Sequence, residues 1–121
     1  MTYSIEPGDG SDSVRIVFHD KVSRREILAA IVELSVDGTF RWSHRLWDFR
    51  GCKLLLQGED FRHLGERAKA LQSGEDRVVI LVDSDLAYGI ARIQQVYRED
   101  DRTRYRVVRD EAEAVSFLRA V

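Results

Sequence analysis

The sequence predicts an α/β domain: a mixed, mostly parallel five-stranded sheet with an N-terminal β-hairpin and about four helices, in the order β-β-α-β-α-β-α-β-α. Three observations predict it. Residues 78–82 (VVILV) form an unbroken apolar run, as a strand covered on both faces requires. After residue 23, strand-like stretches alternate with single helical patterns of roughly 10–15 residues, which calls for parallel pairing through right-handed crossovers. The first two strand-like stretches are joined only by a Gly-rich turn, which calls for a hairpin.

Each element follows from its own pattern. Residues 2–5 place Tyr3 and Ile5 on one face, and the cluster Pro-Gly-Asp-Gly-Ser-Asp-Ser at 7–13 is the one stretch expected to be disordered. Residues 14–18 alternate, with Val14, Ile16 and Phe18 on one side. Ser23 with Glu26 has capping-box spacing. Ile27, Ala30, Ile31 and Leu34 then recur at helical intervals until Asp37-Gly38 stops the helix. Residues 45–50 read as a strand ending at Gly51. A helix over 59–72 buries Phe61, Leu64, Ala68 and Leu71, and Ser73-Gly74 closes it. The next helix starts at Asp83-Ser84-Asp85, with Leu86, Ile90, Ile93 and Tyr97 as its expected buried stripe. Residues 105–108 are the last strand. Asp110 and Glu113 repeat the capping spacing, and Ala112, Val115 and Leu118 are expected to face inward. Without repeats or a linker, 1–121 reads as a single domain.

Composition excludes several classes. The chain is 44% hydrophobic and 33% charged with a net charge of −2, an ordinary globular balance without the basic excess of a nucleic-acid binder. Cys52 is the sole cysteine, so no internal disulfide forms. The N-terminus lacks the basic and apolar regions of a signal peptide, and no apolar run approaches the roughly 20 residues that span a bilayer. The expectation is a cytoplasmic protein with no stable membrane insertion.

Two stretches carry a family resemblance. LWDFRGC at 46–52 resembles the strand-and-exit pattern of STAS domains. VVILVDSDLAYGIARIQQVY at 78–97 is similar to small stand-alone bacterial SpoIIAA-like proteins of unknown role, in which an apolar strand and acidic turn lead to a helix with aromatic-Gly-x-x-Arg, here Tyr88, Gly89 and Arg92. The resemblance spans nearly the whole chain through element order and implies a SpoIIAA-like fold. Members of the group switch by phosphorylation of a serine in the turn after the LWDFRGC-like strand. The matching residues here, 54–60 (LLLQGED), have no hydroxyl, so the resemblance does not extend to that switch. Similar folds occur in CRAL-TRIO lipid-transfer proteins, which raises an apolar-ligand pocket by analogy.

Candidate sites divide between chemistry and structure. Ser84 sits on a strand-to-helix turn as a nucleophile would, but Val82 and Leu86 stand where Gly-x-Ser-x-Gly needs glycines, so helix capping by Asp83 or Ser84 is the preferred role. Asp48 and Asp83 both end predicted parallel strands, the usual ligand rim of such sheets, and Arg50 is positioned to pair with Asp48. Cys52 and His19, His44 and His63 lack metal-ligand spacing, and Cys52 reads as core. Arg98, Arg102, Arg104, Arg106 and Arg109 are interleaved with Glu99, Asp100, Asp101 and Asp110, which suits a solvated face better than nucleic acid. Tyr88 and Arg92 share a helix face in the residue chemistry of interfaces, and Gly89 between them suits either close packing or an approaching partner.

The expected function is a non-catalytic binding or regulatory module without a cofactor or metal. It would engage a protein partner or a second copy through Tyr88, Gly89, Arg92, Asp48, Arg50, Asp83 and Ser84. The alternative is a carrier of a small apolar or lipid-like ligand. The third is a hydrolase using the strand-end carboxylates with Ser84.

Overall fold

The computed structural model describes residues 2–8, 10 and 12–119; residues 9 and 11, within the stretch expected to be disordered, lie outside the described residues. The chain runs β1 (Tyr3–Pro7), β2 (Ser13–Phe18), β3 (Lys21–Ser23), α1 (Arg24–Leu34), β4 (Ser35–Val36), β5 (Thr39–Phe40), β6 (His44–Asp48), β7 (Lys53–Leu55), α2 (Glu59–Leu71), β8 (Asp76–Leu81), α3 (Asp85–Arg98), β9 (Thr103–Val108) and α4 (Glu111–Arg119). The main sheet has the order β1-β2-β6-β8-β9, with β1 antiparallel to β2 and the other neighbours parallel. The predicted fold class and element order are therefore present.

Strand alternation divides the core into two layers. Ile16, Phe18, Trp47, Val78, Ile80, Tyr105 and Val107 face α1, α2 and α3. Leu46, Val79, Leu81 and Val108 face Ala114 and Leu118 of α4. Each fully buried Leu, Ile or Val contributes about 1.5–3 kcal/mol. Phe18, Trp47 and Phe49 stack in the first layer, with centroids 4.8–6.4 Å apart.

Two small pairings add to the predicted set: parallel β3–β7 and the hairpin β4–β5. Asp37-Gly38 does not cap α1, which ends at Leu34; it forms the hairpin turn instead. Both residues have positive φ, 51° and 81°, the requirement of a two-residue type I′ turn. This hairpin sets Phe40 over Arg45, 3.8 Å from guanidinium carbon to ring centroid.

The expected buried stripe of α3 is displaced. Leu86 is 70% exposed, and Ile93 and Tyr97 are exposed as well, while Ala87, Ala91 and Arg98 face inward. The period was right and the phase wrong, by one residue or about 100° around the helix. Close approach explains the choice. A Cβ on Gly65 of α2 would lie 2.5 Å from the Tyr97 carbonyl oxygen, so the two helices nearly touch backbone to backbone. Small residues are what such spacing admits on the inner face. In α4 likewise Ala114, not Ala112, is buried with Leu118.

Candidate ligand-binding site

The most unusual polar residues lie at the N-terminal ends of the parallel strands. Arg45 is the second residue of β6, and Asp76 and Thr103 open β8 and β9 and pair in register. Arg98 ends α3, and Gln72 caps the C-terminus of α2. All five are buried. Arg45 donates from Nη2 to Asp76 Oδ2 (2.6 Å) and from Nη1 to the Trp42 carbonyl (2.7 Å). Arg98 Nη1 donates to Gln72 Oε1 (3.1 Å) and Thr103 Oγ1 (2.9 Å), and the Thr103 hydroxyl donates to Gln72 Oε1 (2.7 Å).

The accounting does not close. Arg98 Nη2 stands 3.8 Å from Asp76 Oδ2, too far for a hydrogen bond, and is buried without a hydrogen-bond partner. Gln94, one turn earlier on α3, donates from Nε2 to the Phe61 carbonyl (3.0 Å), but its buried Oε1 has no donor. Two guanidiniums thus share one carboxylate. Burial, followed by the charge of Arg45, lowers the Arg98 pKa to about 10, so the group remains a cation at neutral pH. Burial also lowers Arg45, against the pull of Asp76. A buried cation without full compensation is costly, and native proteins seldom leave one so.

These groups border a cavity of about 70 Å³ between the helices and the sheet. Its walls are mostly apolar, with Ile31, Trp47, Leu64, Ala68, Val78 and Ile80 among them, and Arg45, Gln94, Arg98 and Tyr105 complete the lining. Phe40, Leu56, Ile90 and Gln94 are the half-buried members of the lining.

The predicted rim lies at the opposite ends of the same strands. Asp48 Oδ1 accepts from the Arg50 backbone N–H (3.1 Å) and Nε (3.0 Å), and Oδ2 accepts from Arg50 Nη2 (2.8 Å) and Arg15 Nη1 (3.5 Å). Glu111 Oε1 accepts from the same two arginines (2.9 and 3.0 Å). Asp83 Oδ2 accepts from the Gly51 N–H (2.9 Å), joining two strand exits. The Ser84 hydroxyl accepts from the Ala87 N–H (3.1 Å), an N-cap. Asp48 and Asp83 thus engage different partners.

On α3, Arg92 Nη1 donates to the Tyr88 hydroxyl (3.2 Å), and Arg92 and Arg109 lie 5.9 and 5.0 Å from its ring centroid. Arg109 also pairs with Asp85 (2.6 Å). A Cβ on Gly89 would meet nothing within 4 Å, so close packing does not account for this glycine. The Cys52 thiol is half-buried and pushed up to about 11 by burial and by the charges of Asp48, Asp83 and Asp20, the reverse of an activated nucleophile. Arg98 leaves the predicted solvated cluster, being only 4% exposed, whereas Arg104 and Arg106 are exposed on edge strand β9.

The architecture has a solved counterpart. An uncharacterised protein of the DUF3478 family from Shewanella loihica PV-4, described as having a SpoIIAA-like fold, superposes with a TM-score of 0.61 at 16% identity, over 96% of this chain and 91% of that one. The fold is SpoIIAA-like. No protein-family model matches the chain, and no curated protein matches it. Among the described residues no helix is long and apolar enough to cross a membrane, and no cluster of three His, Cys, Asp or Glu side chains is arranged to hold a metal.

Within this SpoIIAA-like frame, reading the sequence missed Arg45, Gln72, Asp76, Gln94, Arg98 and Thr103. Two signals were available. Arg45 shares a strand face with Trp47 and Phe49, a charge on an inward face. Once alanines set the phase of α3, positions 87, 91, 94 and 98 fall on one face, which turns Gln94 and Arg98 inward.

Proposed function

We propose that this chain is a binding module that takes a small, mostly apolar ligand into the cavity between the three helices and the sheet. The observation that carries the reading is an apolar cavity bordered by two polar residues, half-buried Gln94 and buried Arg98, each with a buried side-chain atom that has no hydrogen-bond partner. Ligand sites combine this kind of apolar wall with a few convergent polar groups. Nothing in the reading requires a covalent step. The rim carboxylates, Ser84 and Cys52 serve structure in it, and the helix-capping role of Ser84 with the raised pKa of the Cys52 thiol argues against the hydrolase alternative.

The test is native mass spectrometry of protein purified without detergent, followed by calorimetric titration with benzene and 1-butanol, small enough for a cavity of about 70 Å³. A bound adduct, or saturable binding of either probe that the cavity-filling change Ala91→Leu abolishes, supports the reading. An empty protein that also takes up neither probe sinks it.

A second reading has its own observation. Leu86 and Val96 are 70% and 78% exposed, and with Ile93, open Gly89 and the Tyr88–Arg92 pair they make an apolar outer face on α3. Recognition of a protein partner or a second copy through this face is compatible with ligand binding inside it. Leu86→Glu with Val96→Glu should leave circular dichroism unchanged and abolish any self-association seen by sedimentation velocity. A wild-type monomer would remove self-association from this reading.

A further inference from the structure

We propose that the ligand is a short-chain monocarboxylate, bound with its carboxylate on Arg98 and its hydrocarbon body along the apolar wall. This rests on the cavity being a ligand site and goes further by naming the ligand's charge, size and orientation.

Charge comes first. Arg45, Arg98 and Asp76 are 1%, 4% and 5% exposed, and together they leave one positive charge in the interior. Arg45 spends its two terminal nitrogens on Asp76 and Trp42, so the unmet donor is Arg98 Nη2. Asp100, the other carboxylate acting on Arg98, is exposed and makes no hydrogen bond to it. A single excess cation is balanced by a monoanion. A phosphate monoester, at about −1.5 to −2 near neutral pH, would replace one uncompensated buried charge with another. Tyr105 lines the same cavity, and burial raises its pKa, so its hydroxyl stays a neutral donor available to the second carboxylate oxygen.

Size and orientation follow. At roughly 10–15 Å³ per water-sized group, 70 Å³ admits on the order of five to seven such groups, two of them the carboxylate oxygens, which suits an acid of about three to five carbons. Arg98 is among the most buried of the lining residues, whereas Phe40, Leu56, Ile90 and Gln94 are half-buried. The charged end therefore enters first and the hydrocarbon extends toward the apolar three, Phe40, Leu56 and Ile90. A hydroxyl on the ligand, or a water entering with it, can donate to Gln94 Oε1.

Calorimetric titration of the wild-type protein at neutral pH with butyrate, pentanoate, 1-butanol, 1-pentanol, butylamine and inorganic phosphate tests this directly. A charge-assisted hydrogen bond predicts that each acid binds about tenfold or more tightly than the alcohol of equal length, with no binding of the amine. Arg98→Met should abolish the preference for acid while keeping alcohol binding. If that variant does not fold, the wild-type comparison decides alone. Alcohols binding as tightly as acids would overturn the carboxylate and leave the cavity reading standing, as would phosphate binding as tightly as butyrate. No binding by acid or alcohol would overturn both.

Discussion

At the C-terminal ends of the central strands two arginines, Arg15 and Arg50, meet two carboxylates, Asp48 and Glu111. At the N-terminal ends of the same strands two arginines, Arg45 and Arg98, share the single carboxylate of Asp76. The first cluster is balanced, and Arg50 and Glu111 reach solvent. The second carries an excess charge and is buried. Strand polarity makes the first place the usual ligand rim of a parallel sheet, yet polar satisfaction singles out the second. The position of a charge on a fold says where chemistry commonly occurs, whereas whether its hydrogen bonds close says whether it is already employed.

The sharpest way to break this contrast is to remove the shared carboxylate. Asp76→Asn leaves Arg45 and Arg98 buried without a counter-charge, and removing one partner of a buried pair typically costs about 3–5 kcal/mol. Urea unfolding should show a fall of that size in the midpoint-derived stability with an unchanged slope. A loss below about 1 kcal/mol would mean that water screens the cluster and that the excess charge is not truly interior. Excess sodium butyrate should leave the wild type more stable, by mass action on the folded state.

The two clusters also differ in how readable they were. Strand order, the hairpin and the helix starts follow from local patterns, because alternation, capping spacing and Gly-rich turns act over a few residues. Asp48 with Arg50 was legible for the same reason, as the pair is two residues apart on one strand exit. Arg98, Gln72 and Thr103 come from three different elements. Nothing local sets them together, and arginine and glutamine in a helix read as solvent-facing by default. The phase of α3 was lost at the same step: its larger apolar residues suggested an inner face, but the near-contact of Gly65 with the Tyr97 backbone selects alanines for that side.

The balanced cluster predicts a smaller, pH-dependent effect. Burial pushes the Asp48 carboxyl up, but the hydrogen bonds and charge of Arg50, with the charge of Arg15, more than reverse this and leave it below its usual value. The folded carboxyl therefore binds fewer protons than the unfolded one. Its contribution is fully present above the unfolded pKa of about 3.9 and is lost as pH falls through the lower folded value. Glu111, lowered chiefly by its hydrogen bond from Arg15, acts in the same direction. Asp48→Asn should cost about 1.5–3 kcal/mol at neutral pH, as for hydrogen bonds to charged groups, and should flatten the acid limb of the stability curve. An acid limb of unchanged steepness would show that other carboxylates govern it.

Ser84→Ala removes the N-cap of α3 and should cost about 1 kcal/mol. Because Asp83 bonds to Gly51 rather than to this helix end, it does not replace the lost hydroxyl as positioned. Butyrate affinity should be unchanged, since Ser84 does not line the cavity. A coupled loss of binding would mean that the two ends of α3 communicate and that the clusters are not independent.

The smallest effect has the opposite sign. Gly89 is exposed in the interior of α3, and a Cβ there meets nothing within 4 Å. Glycine costs about 0.5–1 kcal/mol relative to alanine in such a place, so Gly89→Ala should stabilise the isolated chain by that amount. The fold gains nothing visible from the glycine, in contrast to Gly65, where packing demands one. If Gly89→Ala stabilises the chain and also weakens its association with a partner or a second copy, the open space on α3 is where another backbone approaches. If it stabilises the chain and leaves association unchanged, the outer face tolerates the methyl and the interaction reading must rest on Tyr88, Arg92 and the exposed apolar residues alone.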